Sequence, residues 1–305
     1  MTVPDDAQVL VSALDGPIPH GRELQERLRY FTVPILRFHG AAPYPDFVGS
    51  GVLLKIADLR FILTAGHCVK GDFALTVLGV RDQPHRFELK PASQNFVYSA
   101  TRGDFGYFQV SSEQAAAIEA GNRIFLNEKS VEVLSAEEHA VLGDFYALGG
   151  YPKDMYNRKN EATGSSFLVY STTMAGGAHA PASTLARGDD RRREFHVWIP
   201  QQGNVNTLTT EHAPATLCDF HGASGGGWWA THMNRPEWHA TNVKLIGTHG
   251  GSSQDLTASD DGLLHKFSRV SLIGNHLALI ARDFPTLREY LYATWPSVES
   301  YGIEL

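Results

Sequence analysis

Three stretches carry residue types that could do chemistry together: LTAGHC (Leu63–Cys68), DFGYFQV (Asp104–Val110) and DFHGASGGGWW (Asp219–Trp229). A serine hydroxyl is a poor nucleophile until a neutral imidazole takes its proton, and an acid must hold that imidazole in the right tautomer. His67 follows the apolar run RFILTAG, just after a predicted strand end, and Asp104 heads a second predicted strand. Ser224 stands between Gly222 and three consecutive glycines, where bare backbone lets N–H groups turn toward a reacting carbonyl oxygen. Each signal is modest alone; the order His, Asp, Ser is one of the three known for such a triad.

Other chemistries fit less well. Ser224 also satisfies Gly-x-Ser-x-Gly, the elbow of α/β-hydrolase esterases, and histidines follow it at His232, His239, His249, His265 and His276. Three glycines make a poor helix start, however, and no alternating β-α pattern precedes the serine. The 14 histidines include no HExxH and no paired cysteines, so no metal and no other cofactor is expected. There is no Gly-x-x-x-x-Gly-Lys-Ser/Thr phosphate loop. A net charge of -7 argues against nucleic-acid binding, which needs an excess of Lys and Arg. The one dense basic run, RGDDRRRE, reads as a solvated loop.

The elements that must position these residues are short and apolar: FTVPILRFHG, GSGVLLKIADLRFILTAG, ALTVLGV, RFELKP, DFGYFQV, FYALGGYP, SSFLVYSTT, REFHVWIP and NVKLIGTHGG. Gly, Pro and Asp punctuate them at intervals that predict an all-β fold. Periodicity alone leaves propeller, sandwich and paired barrels open. Helices are expected at GRELQERLRYF, at the capped SSEQAAAIEAG, and along the tail from Leu272, interrupted by Pro285. With 305 residues and 43% hydrophobic content the chain can bury a large core. No window approaches the roughly 18 apolar residues of a membrane span, and the start has no signal pattern. Taken as the natural start, and with only Cys68 and Cys218 as cysteines, the chain is expected to be cytoplasmic with free thiols.

In this order GSGVLL, LTAGHC, DFGYFQV and GASGG resemble the trypsin-like, chymotrypsin-fold serine peptidases. The resemblance runs from about Val33 to Ile280, through LIGTHGG and HKFSRVSLIGNHLALI. FYALGGYPKD is similar to the entry strand of the second barrel in the bacterial glutamyl-endopeptidase branch. The resemblance implies two packed six-stranded antiparallel β-barrels with a C-terminal helix. The expected division is an N-terminal extension over 1–30, a first barrel over 31–135, a second over 136–280 and a helical tail over 281–305. It further implies His67 as general base, Asp104 as its orienting acid, Ser224 as nucleophile, and the N–H groups of Gly222 and Ser224 as the oxyanion hole. Gly-Asp-Phe triplets at Asp72 and Asp144 compete with Asp104 for the acid role; Asp72 lies in the turn after His67, and Asp144 falls on a strand assigned to the second barrel.

The departures matter as much. Where trypsin has an aspartate before the nucleophile to bind a new N-terminus, this chain has Ala223, so activation by that ion pair is not expected. Cys68 lacks the family's disulfide partner and reads as a small buried hydrophobe. For the primary specificity pocket, Asp219 would favour a basic side chain. His249, with Ser252 and His265 on the same wall, would favour an acidic one. Trp228 and Trp229 are expected in the core. The segment 172–215 is long for the family and reads as an exposed loop: a lid over the cleft, a self-cleavage site or a neutral insertion. The sequence thus predicts an intracellular serine endopeptidase with a specific protein target as its partner. A binding protein on the same fold, or a protease kept inactive until a partner or ligand orders the oxyanion loop, stands as the alternative.

Overall fold

A computed structural model describes residues 21–37, 46–70, 75–78, 86–89, 95–99, 103–142, 144–151, 156–161, 164–169, 172–176, 194–200, 221–232, 235–252, 257–258 and 264–302. All nine apolar segments named above contain strands, and every named strand pair is antiparallel. The first sheet holds β1 (Thr32–Arg37), β2 (Asp46–Ile56), β3 (Leu59–Thr64), β4 (Leu75–Leu78), β5 (Arg86–Leu89), β6 (Phe96–Ser99) and β7 (Gly103–Val110). Its order is β5-β4-β1-β2-β3-β7-β6. The second holds β8 (Tyr146–Gly150), β11 (Thr172–Gly176), β12 (Glu194–Pro200), β13 (Gly227–Ala230), β14 (Lys244–Ser252) and β16 (Leu264–Leu272), in the order β11-β8-β13-β14-β16-β12. A short β15 (Thr257–Ala258) adds to β16, and β9 (Tyr156–Glu161) with β10 (Gly164–Val169) forms a separate ribbon.

The fold is therefore mostly β, with two antiparallel sheets, as the segment pattern predicts. Among the described residues each sheet holds seven strands where six were expected, and the hydrogen-bonded order of each is an open path. Two of the strands, β11 and β12, lie inside the segment 172–215; its stretches 177–193 and 201–215 are outside the described residues.

Strand alternation explains the packing. On β2 and β3, Val52, Leu54, Phe61 and Leu63 face a core shared with the second sheet, while Leu53 and Ile62 face a smaller core with Val33, Ile35, Phe108 and Ile118. Successive side chains point to opposite faces, so strands buried on both sides must be apolar throughout. Trp228 and Trp229 are fully buried in the shared core, as expected, and Phe31 packs on Trp229 with ring centroids 5.6 Å apart. The link between the sheets is itself stitched to both: Lys55 N–H donates to Leu126 O (2.7 Å) and Glu132 N–H to Leu245 O (3.0 Å).

Helices fill the margins. The first, α1 (Gly21–Arg29), buries Leu24 and Leu28 in the shared core, and α2 (Gly66–Val69) is a single turn carrying His67. Ser111 caps α3 (Ser112–Ala120) with a reciprocal bond to Gln114, a local signal plain in SSEQ. A further helix, α4 (Ala136–Leu142), was not expected from the pattern. The tail is α5 (Ile273–Asp283) and α6 (Pro285–Thr294), with Pro285 in the first turn of α6, where its missing N–H costs nothing. No helix among the described residues is long and apolar enough to cross a membrane.

Candidate active site

The histidine and the acid come together. β3 and β7 are paired neighbours, with Thr64 opposite Gly106, so the turn after β3 meets the start of β7. His67 Nδ1 lies 2.6 Å from Asp104 Oδ2, and the His67 backbone N–H donates to Asp104 Oδ1 at 2.9 Å. A carboxylate only accepts, so Nδ1 carries the proton and Nε2 is left as the basic nitrogen. The imidazole is 34% exposed and the carboxylate 13%, so part of the ring is open to solvent while its partner is sheltered. Burial works to lower the His67 pKa, but the Asp104 bond and charge, with the Cys68 sulfur, outweigh it and hold the pKa above the ordinary 6.5. Tyr98, half exposed on β6, flanks the ring with centroids 6.0 Å apart, and Lys70 Nζ lies 5.0 Å from the Tyr98 ring centre.

The serine-bearing turn, 221–226, sits between the sheets against the same region. Ser224 O accepts from Ser50 N–H at 2.7 Å, and Cys68 Sγ, one residue past His67, lies 3.8 Å from the same oxygen. Gly225 N–H donates to His249 O (2.7 Å), Gly226 N–H to Ala223 O (2.7 Å), and His249 N–H to Gly226 O (2.8 Å). Gly225 has φ +82°, and a Cβ there would run into Thr64 Oγ1 and Ser50 O. Only glycine lets the turn press this close to the strand leading to His67. Ala223 is buried beside Gly150 and brings no charge to the turn.

The expected pocket residues are placed unevenly. His249, on β14, is fully buried with Nδ1 2.6 Å from Ser268 Oγ, a hydroxyl that also accepts the Trp228 indole N–H at 3.1 Å. Burial, reinforced by the charges of His67 and Arg269, pushes its pKa down to about 3, so the ring is neutral. Ser252 ends β14, and His265 lies on β16 opposite Thr257; the side chains of both fall outside the described part. Asp219 and the rival acid Asp72 lie outside the described residues.

The other rival acid, Asp144, has a histidine of its own. Its Oδ2 is 2.7 Å from His232 Nδ1, both side chains are buried, and Glu132 approaches the other ring nitrogen at 3.6 Å. Sequence spacing did not pair them, because His232 follows β13 and reaches Asp144 only through the β8–β13 ladder. Ser50, not singled out by the sequence although GSG was visible, also touches the serine-bearing turn through contacts made across the two sheets. Among the described residues no group of three or more His, Cys, Asp or Glu could hold a metal ion.

No family model matches the chain, and no curated protein matches it. Among solved structures it is similar to the tobacco vein mottling virus protease, at 9% identity and a TM-score of 0.39 over 90% of this chain and 88% of that one. It is also similar to a Sesbania mosaic virus structure concerned with coupled folding and binding of the intrinsically disordered VPg protein, at 12% identity and a TM-score of 0.33 over 78% and 91%. At such scores neither likeness carries weight beside the geometry of the site itself.

Proposed function

We propose that the protein is a serine endopeptidase of the two-barrel, trypsin-like kind, acting through an acyl-enzyme on Ser224. The observation that carries this reading is the double contact of His67 with Asp104, 2.6 Å side chain to side chain and 2.9 Å backbone to side chain, beside the turn that bears Ser224. In this reading His67 Nε2 takes the Ser224 proton as Oγ adds to the peptide carbonyl. The imidazolium, held by Asp104, then passes that proton to the departing amine. Water repeats the cycle on the ester, releasing the acid and restoring the serine. The N–H groups of Gly222 and Ser224 receive the oxyanion.

Specificity follows from the pocket wall. A neutral His249 offers a hydrogen bond rather than charge, so it would distinguish glutamate from glutamine weakly, whereas Asp219, if it lies at the pocket base, would draw a basic side chain. Profiling cleavage of a peptide library with wild type, Asp219→Ala and His249→Ala separates these preferences. The core assignment is tested by Ser224→Ala: the variant keeps its fold by circular dichroism and loses all labelling by a fluorophosphonate. Labelling that persists in Ser224→Ala rules the assignment out. Wild-type protein that takes no label and cleaves no peptide favours a binding protein on the same fold.

A further inference from the structure

We infer that Ser50 is a positioning residue for the oxyanion donors, an internal clamp that holds the nucleophile turn in working shape without an activating partner. The inference rests on the peptidase reading above. Ser50 lies at the middle of β2, is fully buried, and uses every polar group it has on the region around the site. Its hydroxyl donates to Gly222 O at 2.9 Å and accepts the Tyr151 backbone N–H at 2.9 Å. Its own N–H donates to Ser224 O at 2.7 Å, and its carbonyl accepts from Thr64 Oγ1 at 2.7 Å, on the strand that leads to His67. One side chain and its peptide groups thus join the first sheet, the end of β8 and both ends of the Gly222–Ser224 segment.

The consequence follows from peptide planarity. In a trans peptide the C=O and the following N–H point in opposite directions, so anchoring a carbonyl aims the next amide away from the anchor. Three successive planes are fixed in this way. Gly222 O is held by the Ser50 hydroxyl, Ala223 O by Gly226 N–H, and Ser224 O by Ser50 N–H. The third shows the rule at work: with Ser224 O on Ser50, Gly225 N–H points to His249 O. By the same logic the Ala223 anchor turns Ser224 N–H away from the turn's interior. Gly222 is the weak point, with φ +91° and no side chain to restrict it. Rotation about its Cα–C bond would turn the Gly222–Ala223 peptide plane relative to the Gly222 N–H, and the Ser50 hydroxyl holds that plane by its oxygen. The anchor is stiff because Tyr151, its other partner, is pinned in turn. The Tyr151 hydroxyl donates to Thr32 O at 3.2 Å and accepts from Arg123 Nη2 at 2.9 Å.

The test compares wild type, Ser50→Ala, Ser50→Cys and Ser50→Thr for fluorophosphonate labelling rate and for kcat and KM on a cleaved peptide, with folding followed by circular dichroism. Removing a direct oxyanion donor costs about a hundredfold to a thousandfold, so loosening one from behind is expected to cost about tenfold to a hundredfold in labelling rate and kcat. KM should change by less than about threefold, because substrate contacts remain, and this split separates positioning from a general loss of structure. Ser50→Cys keeps the volume with a weaker donor and is expected to fall between Ala and wild type; it carries the test if the Ala variant does not fold. Ser50→Thr keeps the hydroxyl and is expected to recover most of the rate. A Ser50→Ala or Ser50→Cys enzyme that labels within about twofold of wild type overturns the clamp while leaving the peptidase reading intact. Wild-type protein that never labels overturns both.

Discussion

At the scale of the residue, the decisive pair is His67 and Asp104, and its protonation has a calculable direction. Burial lowers the His67 pKa, but Asp104 and the Cys68 sulfur outweigh it and hold it above 6.5, and the proposed mechanism needs the neutral ring. Activity should therefore rise with pH along a limb whose midpoint in kcat/KM lies above 6.5, the ordinary histidine value. Asp104→Asn removes the partner that raises it. The limb should move to lower pH while kcat falls, by about ten-thousandfold in the worked case of a triad that keeps its geometry with the wrong tautomer. A limb that stays put in Asp104→Asn would show that some other group titrates. The His67–Asp104 pair and the Ser224 turn of the proposed triad could be picked out in the sequence because each sits in a short motif that announces its own local geometry: a strand end, a strand start, a glycine turn. Ser50 was not legible, since a buried serine in a Gly-Ser-Gly strand gains its meaning only from carbonyls that arrive across the sheet interface.

At the scale of the element, the cluster of Asp144, His232 and Glu132 explains a strand start and a turn without any catalytic claim. Asp144 Oδ1 accepts from Phe145 N–H at 2.7 Å, and both its carboxylate oxygens lie 3.0 Å from His232 N–H. His232 adopts φ +53°, a conformation that costs a β-unbranched residue little when its amide and ring are both held by one carboxylate. Burial, and then the neighbouring Asp144 charge, raise the Glu132 pKa against the opposing pull of His232, Arg235 and Lys244. Breaking such a buried pair costs about 3–5 kcal/mol, so Asp144→Ala should lower stability to denaturant by about 3 kcal/mol. The folded fraction should still take the fluorophosphonate at the wild-type rate; a variant that is stable yet fails to label would return Asp144 to the list of triad acids. Elements of this kind show how far pattern reaches. The capping box of α3 and the break at Pro285 are written locally and were found. The strand order β5-β4-β1-β2-β3-β7-β6 depends on ladders between distant segments, and the seven-stranded count could not be read from alternation alone.

At the scale of the whole molecule, α5 acts as a rivet between the sheets through a histidine that must stay neutral. His276 lies fully buried on α5; its Nδ1 donates to Gly106 O on β7 at 3.1 Å, and its Nε2 faces Thr248 Oγ1 on β14 at 2.9 Å. At the end of the same helix Asp283 accepts from the Tyr107 hydroxyl of β7 at 2.7 Å. Burial, partly offset by the Gly106 carbonyl, pushes the His276 pKa down to about 3, and His249 in the second sheet is likewise pushed down to about 3. A histidine with a depressed folded pKa leaves the unfolded chain holding more protons, so its contribution is present above 6.5 and is lost as pH falls toward 3. His67 has the opposite sign: its contribution is present below 6.5 and lost as pH rises through its raised value, so it does not cause loss on the acid side. Urea melts from pH 7 to pH 4 should therefore show stability falling, with His276 and His249 each adding up to about 1.4 kcal/mol per pH unit below the unfolded pKa. His276→Gln cannot protonate and should flatten that slope by one histidine's share. At pH 7 it should cost about 1–3 kcal/mol from whichever of the two bonds it fails to remake. An acid slope identical in wild type and His276→Gln would mean that His276 already exchanges protons with solvent in the folded state, and that the join between the sheets is looser than its two hydrogen bonds imply.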